Sequence, residues 1–388
     1  PVQRFYERTE NIYYSCREDI RMYPLKIGFV GLGHIGGSIA KTIRRLHPDI
    51  EITACDPSEN TIRQALEDNI IHNGFSHLNE AFLSCDYIYL CAPVLINTDY
   101  LPQMKEFCEK NPDLLITDVG SVKTGIHEAV TRCGLESNFI GGHPMCGTEH
   151  TGYEYSTPYM LENAYYLLTP TSAALPEKIR EFESFTASLG ALPLVLDYKK
   201  HDFSVGSISH LPHVISATLV NLVKDLDDSQ ETLKTIAAGG FKDITRISSS
   251  SPLMWENICI ANRDQILELV DTYIAALQKS RDRIAAGNGS DIYSFFESAK
   301  DYRDSFQVSS SGAIKPVYQL FCDLIDEAGG IATIATILSA NNISIKNIGI
   351  VHNREFEQGV LHIEFYEQEA CRHGVELLKK YHYTVYER

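Results

Sequence analysis

Short apolar runs alternate with amphipathic stretches over residues 25–197. The runs are four to six residues long, and most of the stretches between them have helical periodicity. This alternation predicts an α/β domain built on a mostly parallel, doubly wound sheet. The predicted strands are Lys26–Val30, Glu51–Cys55, Tyr87–Cys91, Leu114–Asp118, Asn138–Gly141, Tyr165–Thr169 and Leu192–Leu196.

The pattern changes twice after this domain. Strand signals stop after Asp197, and helical patterns such as His213–Leu226 and Ser251–Leu277 predict an all-helical domain over residues 198–306. Residues 307–316 contain a Ser-Ser-Ser-Gly run, which predicts a linker. Residues 1–24 have no convincing period, so we assign them as an N-terminal extension without chemistry.

The last stretch, residues 317–388, predicts a small α+β domain. The order of its elements is βαββαβ, which is typical of a ferredoxin-like fold. The predicted elements are strand Tyr318–Ile325, helix Ile331–Ala340, strands Ile343–Val351 and Gly359–Tyr366, helix Ala370–Tyr381 and strand Tyr383–Tyr386.

Composition limits the classes of partner. The net charge of −17 repels phosphate backbones and anionic lipids, which argues against nucleic-acid and membrane partners. The ten cysteines form no CxxC pair, and several lie in apolar runs, which indicates buried thiols in a reducing compartment. No apolar run reaches transmembrane length, and residues 1–24 lack the apolar core of a signal peptide. We therefore expect a cytoplasmic protein.

A glycine motif follows the first predicted strand and opens a helix predicted over Ser38–Leu46. Its three glycines permit a tight turn, a close approach to a diphosphate and close packing of helix on strand. A carboxylate at the end of the second strand hydrogen-bonds a ribose 2′-hydroxyl and repels a 2′-phosphate, which favours NAD over NADP. We assign to this cofactor site Gly31, Gly33, His34, Ile35, Gly36 and Asp56.

Two further segments follow strands where such sheets bind ligands. His143 lies after two glycines and before Pro144, where packing explains it poorly and where it suits a general base. A structural histidine in a turn is the alternative. Ser121, in Asp118–Lys123, is suited to hydrogen-bond that base or the substrate, or to cap the next helix.

The helical domain supplies a second group of polar residues. His201, Asp202, His210 and His213 lie just before and at the start of a helix, and a metal-dependent hydrolase that uses them is the main competing chemistry. We rank this hydrolase low because it leaves the glycine motif unexplained and lacks a further carboxylate motif, and we assign no metal.

Another segment of the helical domain, Gly239–Arg246, carries two cations. Arg246 can hold a carboxylate with both arms of its guanidinium group, whereas Lys242 fits a solvated surface equally well. Trp255, the one tryptophan, has core packing as its default interpretation.

Together these segments resemble the prephenate dehydrogenase family. The segments GLGHIGGSIA, DVGSVKT, GGHPMCGTEHTG, SHLPH and GGFKDITRI stand in family order over roughly residues 25–306. The tail resembles an ACT domain, with Gly329, Gly330 and Ile331 at the strand-to-helix turn where such domains bind amino acids.

The resemblance implies a Rossmann domain, a helical dimerisation domain and a regulatory ACT domain. It implies that NAD⁺ oxidises prephenate in tyrosine biosynthesis and that the helical domain forms a homodimer. Tyrosine is the expected effector, since inhibition by the end product would couple the two activities; an ACT domain that only assists oligomerisation is the alternative. His143 matches the catalytic histidine, Ser121 the serine that assists it, and Arg246 the arginine that binds a substrate carboxylate. Positions in or around the pocket are matched by Lys242, Glu149, His201, His210, His213 and Trp255.

Two other functions stay open at this stage. Arogenate dehydrogenase performs the same chemistry on a substrate that carries an amino group in place of the keto group. A non-catalytic sensor of nucleotide and amino acid is the alternative from another class, although Ser121, His143 and Arg246 argue against it. Hydroxyacid dehydrogenases need a catalytic Lys/Asn pair on a helix, which we do not find at a convincing position.

Overall fold

The structure, a computed structural model, describes residues 25–147, 151–308, 318–323, 329–351 and 360–387. The chain divides into two compact units at Ser298. Predictions made for residues 1–24, for Glu149 and for positions 309–316 of the linker lie outside the described residues.

The predicted parallel sheet is confirmed in the first unit. Five parallel strands are ordered β3-β2-β1-β4-β5, so the strand order reverses between β1 and β4 and opens a crevice at their carboxyl ends. The strands are β1 (Lys26–Val30), β2 (Glu51–Cys55), β3 (Asn73–Phe75), β4 (Tyr87–Leu90) and β5 (Leu115–Asp118). Strand β3 was not predicted from the sequence, because three residues are too few to show a period.

The remaining strands form a second sheet, which corrects the prediction of one continuous sheet. Strand β7 runs antiparallel to β6 and parallel to β8, and a single bridge from Ile116 to Phe139 links this sheet to the first. The strands are β6 (Ile140–Pro144), β7 (Tyr165–Pro170) and β8 (Leu192–Val195). Strand β6 begins two residues later than predicted and includes His143, which the prediction placed beyond the strand.

Helices pack on both faces of the five-stranded sheet and bury two apolar clusters. They are α1 (His34–Leu46), α2 (Glu59–Glu67), α3 (Val94–Asn97), α4 (Leu101–Lys110), α5 (Thr124–Cys133) and α6 (Pro176–Ser188). Helix α1 starts at His34, four residues before the predicted Ser38, because Gly33 already takes the N-cap position. Its buried face, which includes Ile39 and Ile43, packs into the first cluster.

Residues 198–308 are helical in the structure, as predicted. The helices are α7 (Tyr198–Val205), α8 (Leu211–Leu226), α9 (Thr232–Ile236), α10 (Gly239–Thr245), α11 (Pro252–Ala261), α12 (Arg263–Ala286) and α13 (Gly289–Val308). The long helix predicted from Ser251 is two helices, since Asn262 ends one and precedes the next. Helix α13 includes Gln307 and Val308, which the prediction gave to the linker.

A π-helical turn, Gly206–His210, joins α7 to α8. His201 and Asp202 therefore lie inside a helix, whereas the sequence analysis placed them before one. Pro212 is tolerated because it occupies the first turn of α8. Such π turns often occur at functional sites, because the extra residue re-aims the side chains around it.

The second unit contains a four-stranded antiparallel sheet ordered β10-β11-β9-β12. Its elements follow the predicted βαββαβ order, and Leu320, Ile334, Leu338, Ile363 and Phe365 are among its buried core. They are β9 (Tyr318–Asp323), α14 (Gly330–Ala340), β10 (Ile345–Val351), β11 (Val360–Phe365), α15 (Gln368–Lys380) and β12 (Val385–Glu387). Over the part of the chain that the structure describes, no helix is both long and apolar enough to cross a bilayer.

Candidate active site

The glycine loop between β1 and α1 has the geometry that a dinucleotide needs. Gly31 adopts φ +97°, a conformation that L side chains rarely adopt, and its N–H donates to Cys55 O at 2.8 Å. A Cβ at Gly36 would overlap the carbonyl of Gly31, whereas a Cβ at Gly33 would meet open space. Gly33 caps α1 without a side-chain hydrogen bond, so the first N–H groups of the helix are available to a diphosphate.

Asp56 lies where the cofactor's ribose is expected, directly after β2. Its Oδ2 accepts a hydrogen bond from Leu32 N and its Oδ1 accepts one from Ser58 N, each at 2.9 Å. The carboxylate is therefore held against the glycine loop while its residue stays partly exposed. These residues fit NAD, because the loop offers N–H donors to the phosphates and Asp56 offers an acceptor to a ribose hydroxyl.

His143 lies near the end of β6, after two glycines that the packing requires. A Cβ at Gly142 would stand 2.7 Å from the carbonyl oxygen of Asp118 and 2.9 Å from the ring of Tyr166. Any larger residue would therefore push β6 away from the loop after β5. His143 keeps 9% of its surface exposed, so a ligand can reach its edge.

A chain of hydrogen bonds runs from His143 into the helical domain. Nδ1 of His143 lies 2.9 Å from Nε2 of His201, and Nδ1 of His201 lies 2.8 Å from Oδ1 of Asp202. Both nitrogens of the fully buried His201 are thus engaged by protein groups. His201 therefore has no free ring nitrogen for the substrate contact that was predicted for it.

Electrostatics keep His143 neutral. Burial, followed by the neighbouring His201, Lys123 and His210, lowers the pKa of His143 well below its ordinary value. Its Nε2 has no hydrogen-bond partner within the described ranges. A neutral imidazole with one nitrogen held and the other unengaged can serve as a general base.

The loop that carries Ser121 is fixed by a buried ion pair. Asp118 Oδ2 accepts hydrogen bonds from Lys123 Nζ at 2.5 Å and from Gly120 N at 2.9 Å, and its Oδ1 accepts one from Gly142 N at 3.3 Å. Asp118 thus joins the loop of Ser121 to the strand of His143.

Ser121 does not cap the following helix, which was one of its two predicted roles. Asp202 takes that role, because its two carboxylate oxygens accept hydrogen bonds from Lys123 N at 2.8 Å and Thr124 N at 2.7 Å. Ser121 itself is partly exposed, and no described residue hydrogen-bonds its hydroxyl. Its hydroxyl is therefore available to a ligand.

The second histidine pair of the helical domain surrounds the tryptophan. The ring of His213 stacks on Trp255 with a centroid separation of 3.9 Å, and His210 meets the same indole edge-on at 5.9 Å. Nδ1 of the buried His210 is 3.0 Å from Nδ2 of Asn262. Burial, with the nearby His201 and His213, lowers the pKa of His210 to about 4 despite an opposing effect of Asp202.

The two predicted cations, Lys242 and Arg246, lie in the helical domain but outside the buried hydrogen-bond network. Arg246 follows α10 and is exposed, and it is close enough to His213 to contribute to the lowered pKa of that histidine, of which burial is the larger cause. Lys242 is also exposed, on α10. Among the described residues, no group of three or more side chains is arranged to hold a metal ion, and the histidines of the competing hydrolase are engaged in the contacts above.

Three residues of this network were not assigned a role from the sequence. Lys123 and Asn262 gave no local signal, and Asp202 was noted only as a metal ligand. Their partners are remote in sequence, since Asp202 is 79 residues from Lys123 and Asn262 is 52 residues from His210.

Both parts of the first unit match models of known protein families. Residues 39–194 match the family model for the prephenate dehydrogenase nucleotide-binding domain, and residues 197–298 match that for the prephenate dehydrogenase dimerization domain. The chain is 34% identical to prephenate dehydrogenase of Bacillus subtilis, over 86% of this chain and 90% of that one. It is also 34% identical to prephenate dehydrogenase of Lactococcus lactis, over 92% of this chain and 98% of that one.

A solved structure has the same fold. The prephenate dehydrogenase of Aquifex aeolicus, in complex with hydroxyphenyl propionate and NAD⁺, superposes with a TM-score of 0.69 at 26% identity. The match covers 74% of this chain and 99% of that one.

Proposed function

This chain belongs to the prephenate dehydrogenase family, and we propose that it oxidises and decarboxylates prephenate to 4-hydroxyphenylpyruvate in tyrosine biosynthesis. The observation that carries this proposal is the state of His143, a buried, neutral imidazole on the strand that follows the loop of Ser121. That histidine meets one chemical demand of the reaction, which is a base for the ring hydroxyl.

His143 and Ser121 are proposed to act on the ring hydroxyl of the substrate, and Arg246 on a carboxylate. Nε2 of His143 takes the hydroxyl proton, with Ser121 hydrogen-bonded to the same oxygen. The glycine loop and Asp56 would hold NAD⁺, which would supply the acceptor for the hydride on the ring carbon that carries this hydroxyl. The bond from the ring to its carboxylate then breaks, carbon dioxide leaves, and the bonding electron pair makes the ring aromatic.

Arg246 is proposed to hold a substrate carboxylate, because a guanidinium group can form two parallel hydrogen bonds to it. His210, His213 and Trp255 are proposed to line the pocket, and Lys242 and Glu149 to supply polar groups at its edge. Their support is the cluster of His210, His213 and Trp255 and the position of Arg246 beside it. Glu149 is proposed from the resemblance alone.

We propose a homodimer formed through the helical domain. Several of its apolar side chains are 61% to 70% exposed, which is expected of a surface that a second copy covers. They include Ile208, Leu226, Ile236, Ile244, Leu253 and Ile284. The reduced cysteines among the described residues fit a cytoplasmic location, which we also propose.

Residues 317–388, within the second unit, are proposed to be an ACT domain that binds tyrosine and lowers activity. Its βαββαβ order supports this assignment, as does Gly329, which adopts φ +97° immediately before α14. Gly330 and Ile331 follow in the first turn of that helix, and the exposed side chain of Ile331 is available to an effector. Inhibition by the end product would couple this unit to the reaction.

The test is NADH formation by the full chain with NAD⁺ and prephenate, repeated with tyrosine and with arogenate. Turnover on prephenate that tyrosine suppresses supports both the catalytic and the regulatory proposals. His143→Asn is expected to lower kcat by on the order of 10²–10⁴-fold and to leave NAD⁺ binding intact. The matched control is His77→Asn at an exposed position. Turnover on arogenate alone changes the substrate, and NAD⁺ binding without turnover on either compound favours the sensor.

A further inference from the structure

Asp202 contacts three parts of the active site from one buried position. Its side chain accepts from His201 and from the first N–H groups of α5, and its carbonyl accepts from Nδ2 of Asn262 at 3.1 Å. Burial tends to raise the pKa of Asp202, but the hydrogen bonds from His201, Thr124 and Lys123 outweigh it and hold the pKa below its ordinary value. Asp202 is therefore an ionised acceptor.

An ionised carboxylate only accepts hydrogen bonds, which decides where the proton of His201 lies. The atom of His201 that faces Asp202 is Nδ1, so Nδ1 carries the proton. In neutral His201, Nε2 then has a lone pair and accepts from Nδ1 of His143. His143 in turn carries its proton on Nδ1, and its Nε2 is an acceptor.

The same logic gives the opposite result for His210. The carbonyl of Asp202 only accepts, so the group of Asn262 that faces it is the amide nitrogen. The second hydrogen of that nitrogen points to Nδ1 of His210, which must accept it. Neutral His210 therefore carries its proton on Nε2, a buried atom with no partner among the described residues.

We propose that Asp202 is a positioning residue that sets two catalytic-site histidines in opposite tautomers. Through its carboxylate and His201 it makes Nε2 of His143 a hydrogen-bond acceptor. Through its carbonyl and Asn262 it makes Nε2 of His210 a donor. His143 is thereby ready to take the hydroxyl proton, and His210 is ready to donate to an oxygen of the substrate.

The assignment of substrate roles rests on the proposed function, whereas the tautomers do not. When His143 takes the hydroxyl proton, an O–H bond breaks and a bond from hydrogen to Nε2 forms. The positive charge on His143 is stabilised by its Nδ1–H bond to His201, which is itself hydrogen-bonded to Asp202. The proton on His201 need not move.

The direct test is ¹⁵N NMR of the full-length protein labelled at histidine, in which ring nitrogens with and without a proton have distinct shifts. Signals are assigned by comparison with His143→Asn and His210→Asn. The proposal expects a protonated Nδ1 on His143 and a protonated Nε2 on His210. A proton on Nε2 of neutral His143 would overturn the proposal, and this result does not depend on which substrate the protein uses.

Two substitutions test the function of the relay. A glutamine side chain can donate to Asp202 and accept from His143, so His201→Gln is expected to retain most of kcat. His201→Leu can do neither and is expected to lower kcat by on the order of 10²–10⁴-fold, with the KM for NAD⁺ little changed. Equal losses in both variants would contradict a role through hydrogen bonding.

Asp202→Asn completes the set, because an amide at this position can donate to Nδ1 of His201 and reverse the tautomers of His201 and His143, while the backbone carbonyl that orients Asn262 and His210 is unchanged. We expect a loss of kcat like that of His201→Leu, and a His143 signal with the proton on Nε2. Since Asp202 also caps α5, thermal unfolding is measured in parallel. Full kcat in a folded Asp202→Asn protein would overturn the proposal. If the wild type turns over neither prephenate nor arogenate, the proposed function fails while the NMR result still decides the tautomers.

Discussion

Lys123 Nζ lies 2.5 Å from Asp118 Oδ2, and both side chains are excluded from solvent. Burial is the main influence on Lys123 and lowers its pKa, while Asp118 acts in the opposite direction. The carboxylate also holds the backbone of Gly120 and Gly142. This ion pair therefore sets the distance between the loop of Ser121 and the strand of His143.

Removing the lysine is expected to destabilise the protein strongly. Lys123→Met leaves the Asp118 carboxylate buried without a counter-ion, which costs about 3–5 kcal/mol. The free energy of unfolding from urea titrations measures this loss. Adding Asp118→Asn to Lys123→Met is expected to restore part of it, because the buried charge is then gone.

The control is a solvent-exposed pair on the same sheet. Lys26 and Glu51 are 3.3 Å apart with side chains 43% and 41% exposed, so Lys26→Met should cost less than about 1 kcal/mol. Similar losses at Lys26 and Lys123 would contradict a structural role for the buried pair.

The features that could be predicted from the sequence are local ones. The glycines of the first loop, Asp56 and His143 each lie within a few residues of a strand end, so pattern and chemistry coincide along the chain. Strands β1 and β2 were predicted to the residue for the same reason, because each is a short, mostly apolar run with four consecutive buried residues.

Contacts between distant segments could not be predicted in this way. Asp202 caps a helix that begins 78 residues earlier, so Ser121 was the only cap that local reasoning could offer. The amide of Asn262 bonds to the carbonyl of Asp202, 60 residues away, and only the folded chain shows that this amide separates two helices and orients His210.

Acid is expected to destabilise the fold through its buried histidines. Burial lowers the pKa of His127 and of His210 to about 4 in the folded protein, whereas the unfolded chain titrates at about 6.5. The unfolded state thus binds more protons, so the stability present above pH 6.5 is lost as the pH falls from 6.5 towards 4. Each histidine contributes about 3 kcal/mol to this loss.

Urea unfolding at pH 7, 5.5 and 4 measures this dependence. His127→Gln keeps a polar partner for Thr169 and does not titrate, so its stability should fall less steeply with pH. The exposed His77→Gln is expected to behave like the wild type. An unchanged slope in His127→Gln would mean that the pKa of this ring does not differ between the folded and unfolded states.

Asp56 is expected to set the preference for NAD⁺ over NADP⁺. Asp56→Asn keeps the size of the side chain and an acceptor for Leu32 N or Ser58 N, but removes the charge that repels a 2′-phosphate. The ratio of kcat/KM for NAD⁺ to that for NADP⁺ should fall by on the order of tenfold or more, since a hydrogen bond to a charged group is worth about 1.5–3 kcal/mol. Glu59→Gln, at an exposed position in the same region, is the control.

Arg246 is expected to act on substrate binding rather than on the chemical step. Arg246→Ala removes a carboxylate contact that is present before and during the reaction, so the KM for prephenate should rise by about 10–100-fold while kcat changes less. Arg246→Lys keeps the charge but loses the paired hydrogen bonds, and an intermediate KM is expected.

Arg180→Ala, which changes an exposed arginine on α6, is the control and should leave all constants unchanged. Steady-state kinetics with prephenate varied at saturating NAD⁺ measure these effects. An unchanged KM in Arg246→Ala would mean that Arg246 does not bind prephenate. Another cation would then have to bind the carboxylate.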